Sequence, residues 1–491
     1  MKLLLNDLDN VFVQTGKSNS PPGTKVARTP IATGDSIIKY GVPIGFAKSN
    51  ISEGQSINTK NFEEDSQSNF SNLPTSKKKI VNIPDKLKTF SGYPSILGQF
   101  ATRNYLAIHT SVQCVEGILK HATEIMRKEV LPQYPNVDGI VLLSHSYGCG
   151  VAIDAKGSEI PKRTLVNLAL NPNFGGYGLF VGLGCEKLRH KWLIENLFKK
   201  VSLNEFKYDT LYFQSIEECG FKGIVNQLID KVSSKLKYLN KKKRVPVCIS
   251  KIILGSQCGG SDSFSGITSN PVVGALSDLL VDEGGTSVFS ETTECIPGET
   301  YLKSRCKTIS TKKKLATEFK WYKNYLKEAG VDHSANTTPG NKQGGLSSII
   351  EKSLGSISKS GYAPISDILG PGERLKKSGL NFLSGPASDF VCGTLLLASG
   401  CTLQIFTTGR GTPYSIDGMP VLKVSSNSAI KEKWHDLIDF DCGVILSGSK
   451  FDEVTVQLLE KIVKIASGEK TCAERLEIKN SLVLFNPAPI T

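Results

Sequence analysis

The chain has 491 residues, of which 39% are hydrophobic and 21% are charged, so it has the composition of a globular protein and the length of about three domains. No run approaches the roughly 18 apolar residues of a membrane span, and the opening MKLLLNDLDN is too short for a signal-peptide core. We therefore expect a cytoplasmic protein without a membrane partner. The net charge of +13 lies in polar stretches without interleaved aromatic residues, which disfavours nucleic-acid binding and suits small anionic substrates.

The predicted elements begin with a small all-β module. Residues 1–61 alternate short apolar runs, such as NVFV and SIIKYGVPIG, with turns rich in Gly, Pro and Asn. Residues 62–89 are expected to be a linker, because the segment NFEEDSQSNFSNLPTSKKK is polar and nearly free of aliphatic side chains.

The rest of the chain alternates strand, loop and helix. In residues 90–245, YLAIHTSVQC, VDGIVLLSHSYGCG and YGLFVGLGCE are predicted to be strands that run into loops, and VEGILKHATEIMRKEVL has helical spacing. A second block of this kind covers residues 246–491, through KIILGSQCGGSD, TSVFSETTE and LQIFTTGRGTPYS. Such alternation predicts parallel sheets with crossover helices. The expected fold class is α/β, with a small N-terminal all-β module and two larger α/β domains.

Four cysteines come directly after predicted strands, namely Cys114, Cys149, Cys185 and Cys258. In a cytoplasmic protein, cysteines are expected to be thiols or thiolate ligands rather than disulfides. The carboxyl ends of parallel strands share one edge of a sheet, so the four thiols are expected to converge there. The set predicts an iron or zinc site, although a single cysteine is more often a small buried core residue.

The segment SHSYGCG places His145 four residues before Cys149. A histidine at a strand end can act as a general base or as a metal ligand, because its pKa lies near neutrality; the alternative is a hydrogen-bonded loop histidine. Glu186 and Asp262 also follow predicted strands and are the other candidates for proton transfer.

Three glycine-rich loops are expected to bind the substrate. CGGSDSFSGITSNP carries Ser261, TTPGNKQGG carries Asn341 and Lys342, and TTGRGTPYS carries Arg410. Loops that follow strands are where open α/β sheets hold their ligands, and arginine on a rigid turn suits a carboxylate. A surface turn with an incidental charge is the alternative interpretation for each cation.

These motifs resemble those of the altronate dehydratase and galactarate dehydratase family of sugar-acid hydro-lyases. The resemblance runs from DNVFV and IIKYGVPIG through SHSYGCG and GLGCE to CGGSDSFSGITSNP, PGNKQGG and FTTGRGTPYS, and GERLKKSGLNFLSGP and WHDLIDFDCG look closer to the altronate branch. It implies a β-clip (SAF-type) domain, dependence on ferrous iron, either mononuclear or clustered, and a homo-oligomer.

The chemistry that the resemblance implies is dehydration of an aldonate to a 2-keto-3-deoxy acid. A base removes the proton alpha to a carboxylate, a metal neutralises the developing enediolate, and an acid assists loss of the 3-hydroxyl. His145 is the first candidate for one of these proton transfers, with Lys342 and Arg410 as clamps for the substrate.

The first module departs from the family pattern. The Gly-His-Lys turn of the altronate enzymes is GTK here, with Thr24, their histidine-rich segment is SINTKN, and no histidine precedes His109. Three hypotheses stay open: an altronate-type dehydratase; a relative that acts on another hydroxy acid, such as galactarate, or that releases sulfite from a sulfonated one; and a protein that binds sugar acids without catalysis.

Overall fold

The structure is a computed structural model that describes residues 2–16, 20–64, 70, 73, 82–200, 206–215 and 220–489. Small antiparallel sheets form the N-terminal part, and two parallel sheets, of four and seven strands, carry the helices of the rest. This confirms the predicted α/β class with its small all-β module. In the described ranges, no helix combines the length and the apolar character needed to cross a bilayer.

The N-terminal module is built from short strands with alternating buried residues. They are β1 (Lys2–Leu3), β2 (Val11–Gln14), β3 (Lys25–Ala27), β4 (Ser36–Lys39), β5 (Val42–Ala47), β6 (Ser56–Ile57) and β7 (Phe62–Glu64). They form two sheets with the orders β1-β2-β3-β6 and β4-β5-β7. Strand β7 differs from the prediction, which placed it in the linker; it pairs with β5 because Phe62 is buried. Most of the remaining predicted linker lies outside the described residues.

The second domain is a four-stranded parallel sheet with helices on its faces. Its elements are β10 (Tyr105–Thr110), α1 (Glu116–Ile125), β11 (Gly139–Leu143), α2 (Glu159–Leu168), β12 (Tyr177–Gly182), α3 (His190–Phe198), β13 (Lys207–Tyr212) and α4 (Phe221–Leu239). The strand order is β11-β10-β12-β13. Strands β10, β11 and β12 are buried along nearly their whole length, as expected for a parallel sheet covered by helices, whereas the edge strand β13 is largely exposed or half-buried. Leu106 and Ile108 pack with Leu119 of α1 and Leu228 of α4.

A three-stranded antiparallel sheet packs against the C-terminal domain, where Phe90 and Val247 share a buried cluster with Leu458. Its strands are β8 (Thr89–Pro94), β9 (Phe100–Ala101) and β14 (Val245–Cys248). Since β14 pairs with β8, the segment that enters the second domain lies beside the segment that leaves it.

The C-terminal domain is a seven-stranded parallel sheet surrounded by helices. Its elements are β15 (Ile253–Gly259), α5 (Ser269–Asp282), β16 (Thr286–Phe289), α6 (Thr292–Cys295), α7 (Glu299–Ser304), α8 (Ile309–Glu328), α9 (Pro339–Gln343), α10 (Ile349–Ser358), β17 (Ile365–Leu369), β18 (Gly379–Leu383), α11 (Asp389–Ser399), β19 (Leu403–Thr408), β20 (Val421–Ser425), α12 (Ser428–Lys433), β21 (Phe440–Asp441), α13 (Phe451–Ala466) and α14 (Cys472–Arg475). The order is β17-β18-β16-β15-β19-β20-β21. Strands β16, β17 and β18 lie on one side of β15, and strands β19, β20 and β21 lie on the other. The strand order therefore changes direction beside β15, and open α/β sheets bind ligands at such a point.

The two parallel sheets share one apolar core and are joined by the C-terminal tail. Leu168 of α2 and Phe174 belong to the same buried cluster as Leu395 of α11. In the tail, the Leu482 N–H donates to the Ser144 carbonyl oxygen at 2.9 Å. The carboxyl edge of the four-stranded sheet is thus tied to the last residues of the chain.

Candidate active site

The carboxyl edge of the seven-stranded sheet holds a buried constellation of a thiol, a carboxylate and an ammonium group. Cys258 lies near the end of β15, Glu291 follows β16, and Lys359 caps the end of α10. The Lys359 Nζ donates to the Cys258 Sγ at 2.9 Å and forms an ion pair with the Glu291 carboxylate. The Cys258 N–H donates to Glu291 Oε2 at 3.0 Å. All three residues are buried, so their interactions are strengthened by the low local dielectric constant.

A second ion pair completes the charge balance of this site. Glu294 Oε2 lies 3.3 Å from the Cys258 Sγ, and Glu294 Oε1 lies 3.0 Å from the Nζ of Lys352. Burial raises the pKa of Glu291 to about 7. Burial also opposes ionisation of Glu294, but Lys352 and Lys359 outweigh it and lower the pKa of that carboxyl. One carboxylate is therefore held ionised, and the other can exchange a proton near neutral pH.

Glu291 occupies a strained backbone position. Its φ of +77° and ψ of 64° lie in the left-handed region, which costs a residue other than glycine about 1–2 kcal/mol. Such strain persists only where the surroundings fix the conformation, and it clusters at functional sites. Here the fixing contacts are those from the Cys258 N–H and from Lys359.

Three residues of this site are of types that bind metal ions. Within the described residues, Cys258, Glu291 and Glu294 are the group whose three potential ligand atoms lie within 4.8 Å of one another. The two ammonium groups already neutralise the two carboxylates, and burial with the nearby Glu291 raises the pKa of the Cys258 thiol. A divalent cation would have to displace Lys359 and ionise the thiol, so this arrangement does not fit a metal and instead suits proton transfer.

The predicted substrate-binding residues lie together on neighbouring loops at this edge. The Asn341 Nδ2 donates to the Ser261 carbonyl oxygen at 2.9 Å. The Arg410 Nη2 donates to Gln343 Oε1 at 3.3 Å, and Lys342 precedes Gln343 near the end of α9. Both Arg410 and Lys342 are exposed, and Arg410 packs against Gly260, two residues after Cys258. Their binding of substrate stays a prediction.

Asp262 organises these loops. Its Oδ1 accepts from the Ser265 N–H and the Ser426 Oγ, both at 2.8 Å, and its Oδ2 accepts from the Asn427 Nδ2 at 2.9 Å. A Cβ atom at Gly409 would collide with the carboxylate, so the glycine is needed for this close approach. Burial raises the pKa of Asp262. Its predicted role in proton transfer is untested, while its contacts account for the shape of the loop.

Asp389 is a further carboxylate close to the end of β15. It is half-buried at the start of α11, and its carboxylate oxygens lie 3.0 Å from the position that a Cβ atom at Gly259 would occupy. Burial, together with the charge of Glu294, raises the pKa of Asp389 to about 6. The aspartate is therefore able to give or take a proton near neutral pH.

The β-clip module reaches this edge with two buried lysines. The Lys25 Nζ donates to Glu351 Oε2 at 2.9 Å and to the Gly345 carbonyl oxygen at 2.7 Å. The Lys39 Nζ donates to Glu351 Oε1 at 2.6 Å and to the Ser263 Oγ at 3.4 Å. These contacts dock the N-terminal module on the glycine loops.

His145 lies at the other parallel sheet, in the second domain. Its Nε2 is hydrogen-bonded to the Thr110 carbonyl oxygen at 2.8 Å, and its Nδ1 accepts from the Tyr147 N–H at 3.1 Å. Burial lowers the pKa of His145 to about 4. Both ring nitrogens are engaged and the ring is neutral at pH 7, which favours the interpretation as a loop histidine; its catalytic role stays a prediction.

Glu186 belongs to a buried cluster near His145. Its Oε1 accepts from the Ser111 Oγ at 2.5 Å, and its Oε2 accepts from the Gly184 N–H at 2.6 Å. The Ser111 Oγ also lies 3.0 Å from the Nε2 of His190. A Cβ atom at Gly182 would collide with the Glu186 carboxylate. The cluster occupies the space above this glycine at the end of β12.

The expectation that four cysteines share one sheet edge was wrong. The chain folds into two separate parallel sheets, so Cys258 lies in the seven-stranded sheet and the other three follow strands of the four-stranded sheet. Cys114, Cys149 and Cys185 are exposed, whereas Cys258 is buried. Metal binding by any of the four is untested.

Sequence reasoning missed several members of the buried constellation. Glu291 and Glu294 lie in SETTE, directly after the predicted strand TSVF, and a carboxylate at a strand end was the available signal. Lys359 lies at the end of a helix in SISKSGY, and nothing in that segment distinguishes it from a surface lysine.

Comparison with known proteins places all three domains. Residues 15–65 match the family described as altronate/galactarate dehydratase SAF domain, residues 92–240 match D-galactarate dehydratase/altronate hydrolase, second domain, and residues 249–490 match D-galactarate/altronate dehydratase, C-terminal.

Three relatives show the range of chemistry. The chain is 42% identical over 478 residues to galactarate dehydratase (L-threo-forming) of Escherichia coli, covering 96% of this chain and 91% of the relative. It is 33% identical over 490 residues to the altronate dehydratase of the same organism, covering 97% and 94%. It is 28% identical over 398 residues to (2R)-sulfolactate sulfo-lyase subunit beta of Chromohalobacter salexigens, covering 80% and 96%.

The identity is higher with galactarate dehydratase than with altronate dehydratase, the reverse of the branch expected from the sequence motifs. Two of these relatives are dehydratases that match along nearly the whole chain, which supports an enzyme rather than a binding protein. The chain belongs to the altronate/galactarate dehydratase family, whose members are hydro-lyases of sugar acids.

Proposed function

We propose that this enzyme dehydrates a sugar diacid of the galactarate type at the carboxyl edge of the seven-stranded sheet. The observation that carries the substrate class is the 42% identity with galactarate dehydratase, against 33% with altronate dehydratase, each over nearly the whole chain. An aldonate is the second candidate, because the family includes altronate dehydratases.

The substrate carboxylate next to the reacting carbon is held by Arg410 and Lys342. Both cations are exposed, Arg410 on the loop after β19 and Lys342 near the end of α9, and the planar guanidinium group can form two parallel hydrogen bonds with a carboxylate. Gly260, which has a φ of +52° and packs against Arg410, lets the chain pass close to the bound anion.

The proton transfers are assigned to the two carboxyl groups whose pKa values are raised towards neutrality. Glu291, with a pKa of about 7, takes the proton alpha to the substrate carboxylate, and Lys359 next to it stabilises the negative charge that develops. Asp389, with a pKa of about 6, gives a proton to the departing 3-hydroxyl, which leaves as water. A carbon–carbon double bond forms, and the resulting enol rearranges to the keto acid.

No step of this mechanism uses a metal. Lys359 and Lys352 already neutralise the two carboxylates of the site, so Cys258, Glu291 and Glu294 do not fit a metal ion. The iron dependence that the family resemblance implies needs a different set of residues.

The test is a substrate panel assayed anaerobically with ferrous iron. We expect keto-acid formation from galactarate with a higher kcat/KM than from altronate, and no sulfite from sulfolactate. A preference for altronate would overturn the diacid assignment, and sulfite release as the main activity would replace dehydration with sulfonate elimination.

The residue assignments need separate variants. Glu291→Gln should lower turnover roughly a hundredfold or more, the usual loss when a general base is removed. The matched control is Glu453→Gln, which removes the carboxylate of an ion pair with side chains 80% and 61% exposed and should leave turnover unchanged. Normal turnover of Glu291→Gln would remove Glu291 from the reaction.

A further inference from the structure

A small polar cavity lies beside β11, the strand at one edge of the four-stranded sheet. Thr123 of α1 and Arg127, in the turn that follows this helix, line one part of it. Asp417, from the loop between β19 and β20, also lines it, as do Lys479 and Asn480 of the C-terminal tail. The second domain and the C-terminal domain therefore both contribute to one cavity, and the proposed mechanism uses none of these residues.

The hydroxyl group of Thr123 indicates that the cavity holds a ligand. Threonines inside other helices, such as Thr164 of α2 and Thr394 of α11, donate their hydroxyl to the carbonyl oxygen four residues earlier, both at 2.8 Å. Thr123 is only 1% exposed, yet its Oγ1 has no hydrogen-bond partner among the residues that the structure describes. Buried polar groups in native proteins are almost always paired, so a partner inside the cavity is expected for this hydroxyl.

Arg127 and Asp417 are held in place on the edge strand. Arg127 lies in the π-helical turn Met126–Val130, and such turns are frequent at functional sites. Its Nε and Nη2 donate to the Ile140 carbonyl oxygen at 2.9 and 2.5 Å, and its Nη2 lies 3.8 Å from Asp417 Oδ2. Burial raises the pKa of Asp417 to about 6, against the opposing charges of Arg127 and Lys479. The carboxylate is therefore ionised at pH 7 and can accept a hydrogen bond from a ligand.

The tail supplies donors for a negatively charged group. The Lys479 Nζ lies 3.8 Å from Glu477 Oε2, whose side chain is 78% exposed, and such a loose surface pair competes little with a ligand. The Asn480 Oδ1 accepts from the Ser415 N–H at 3.3 Å, which leaves the amide nitrogen to donate. Lys120 of α1 is a further cation of the lining. These groups suit a carboxylate, whereas Thr123 and Asp417 suit a hydroxyl.

We propose that this cavity binds a three-carbon 2-hydroxy acid. Its volume of about 170 Å³ is that of five or six water molecules at about 30 Å³ each, and lactate is of this size. The carboxylate of the acid accepts from Lys479 and Asn480, and its hydroxyl donates to Asp417 and accepts from Thr123. A six-carbon sugar diacid is too large for this volume, so the site is separate from the one proposed for the substrate.

The bound acid would fasten the C-terminal tail to the second domain. Ser144, directly after β11, and Ser481 of the tail both line the cavity, and their hydroxyl oxygens lie 3.3 Å apart. The next tail residue, Leu482, donates its N–H to the Ser144 carbonyl oxygen. A ligand that contacts both sides of this junction should therefore make the tail open less often.

The test is binding of lactate to the full-length chain, measured by isothermal titration calorimetry. Propionate, which lacks the hydroxyl, and 1,2-propanediol, which lacks the carboxylate, should each bind about tenfold more weakly than lactate, the equivalent of about 1.4 kcal/mol. Thr123→Val and Lys479→Gln should each weaken lactate binding by about the same factor. Lactate should also slow hydrogen exchange of the Leu482 amide, because it holds the tail in place.

Matched variants keep the test specific. Thr317→Val removes a hydroxyl that donates to the Lys313 carbonyl oxygen of its own helix, and Lys464→Gln removes an exposed lysine of α13; both should bind lactate normally. Arg410→Gln should also bind lactate normally, because Arg410 belongs to the proposed substrate site. Failure of that proposed function would therefore leave this result unchanged.

Misfolding is separated from loss of the ligand by thermal unfolding without lactate. Thr123→Val should not lower the midpoint, because the hydroxyl that it removes has no partner among the described residues. No binding of lactate, equal binding of the three compounds, unchanged binding in Thr123→Val and Lys479→Gln, or loss of binding in Arg410→Gln would each overturn the proposal.

Discussion

The buried carboxylate of Glu351 is the sharpest place to test how the β-clip module is held on the catalytic body. Lys25 and Lys39 meet this one carboxylate, and all three side chains are at most 1% exposed. The substitution Glu351→Gln keeps the shape of the side chain and removes its charge. Two ammonium groups would then be buried without an anion, and their partners would all be neutral: the amide oxygen of the new side chain, the Gly345 carbonyl oxygen, the Ser263 hydroxyl and the ring of Tyr40.

The expected cost is several kilocalories per mole. Removing one partner of a buried ion pair costs roughly 3–5 kcal/mol, because the remaining charge is uncompensated. The pKa of Glu351 leads to a similar free energy. Burial alone would raise this pKa, but Lys25 and Lys39 outweigh burial and lower it from 4.5 to about 2. At about 1.4 kcal/mol per pH unit, this difference corresponds to about 3 kcal/mol.

The same shift fixes the pH dependence. Because the pKa of Glu351 is lower in the folded protein than in the unfolded chain, the stabilisation is fully present above about pH 4.5 and is lost as the pH falls towards 2. Docking of the β-clip should therefore weaken progressively over that acidic range, and it should not change between pH 6 and 8.

Hydrogen exchange of the β3 and β4 amides is the suitable assay, since it reports local opening of the module rather than global unfolding. In Glu351→Gln these amides should exchange about a hundredfold faster at pH 7, the equivalent of about 3 kcal/mol. The control Glu453→Gln, in an exposed pair, should change exchange little. Unchanged protection of β3 and β4 in Glu351→Gln would show that the lysines do not hold the module.

Two further predictions concern catalysis. The pH profile of kcat/KM should be bell-shaped. Activity should fall at low pH because Glu291, with a pKa of about 7, takes up a proton, and it should fall at high pH because Asp389, with a pKa of about 6, loses one. A profile that is flat from pH 5 to 8 would contradict both assignments. His145→Gln should lower stability by about 1–3 kcal/mol, because it disturbs hydrogen bonds to the Thr110 carbonyl oxygen and from the Tyr147 N–H, with turnover changed only a few fold. A loss of turnover of a hundredfold or more with iron content retained would instead support the predicted catalytic role of His145.

The general architecture could be predicted from the sequence because it rests on local patterns. Apolar runs such as YLAIHT and KIILGSQ predict buried strands, and the structure has strands β10 and β15 at these positions. The convergence of the loops around Asp262 and Arg410 also followed from strand ends sharing one edge. Strand β7 was missed because its three residues lie in a polar segment; burial of Phe62 and pairing with β5 hold it in place.

The chemistry of the site was less accessible, since it depends on which elements become neighbours. Nothing local shows that Cys258 and Lys359, 101 positions apart, share a hydrogen bond. The assignment of Cys258 to the same edge as Cys114 was wrong because strand ends alone do not tell which sheet a strand joins. The engagement of both nitrogens of His145 likewise depends on carbonyl and amide groups that the sequence does not place.

The lysine pair of the β-clip has a consequence for how the chain is made. Lys25 and Lys39 are separated from Glu351 by 326 and 312 positions, so a ribosome that adds 5–20 residues per second needs roughly 15–60 s to supply their partner. During that interval the two ammonium groups have to remain in water, and the first module must wait undocked. Final assembly is therefore a late event, and a protein shortened before α10 would leave its N-terminal module without the carboxylate that anchors it.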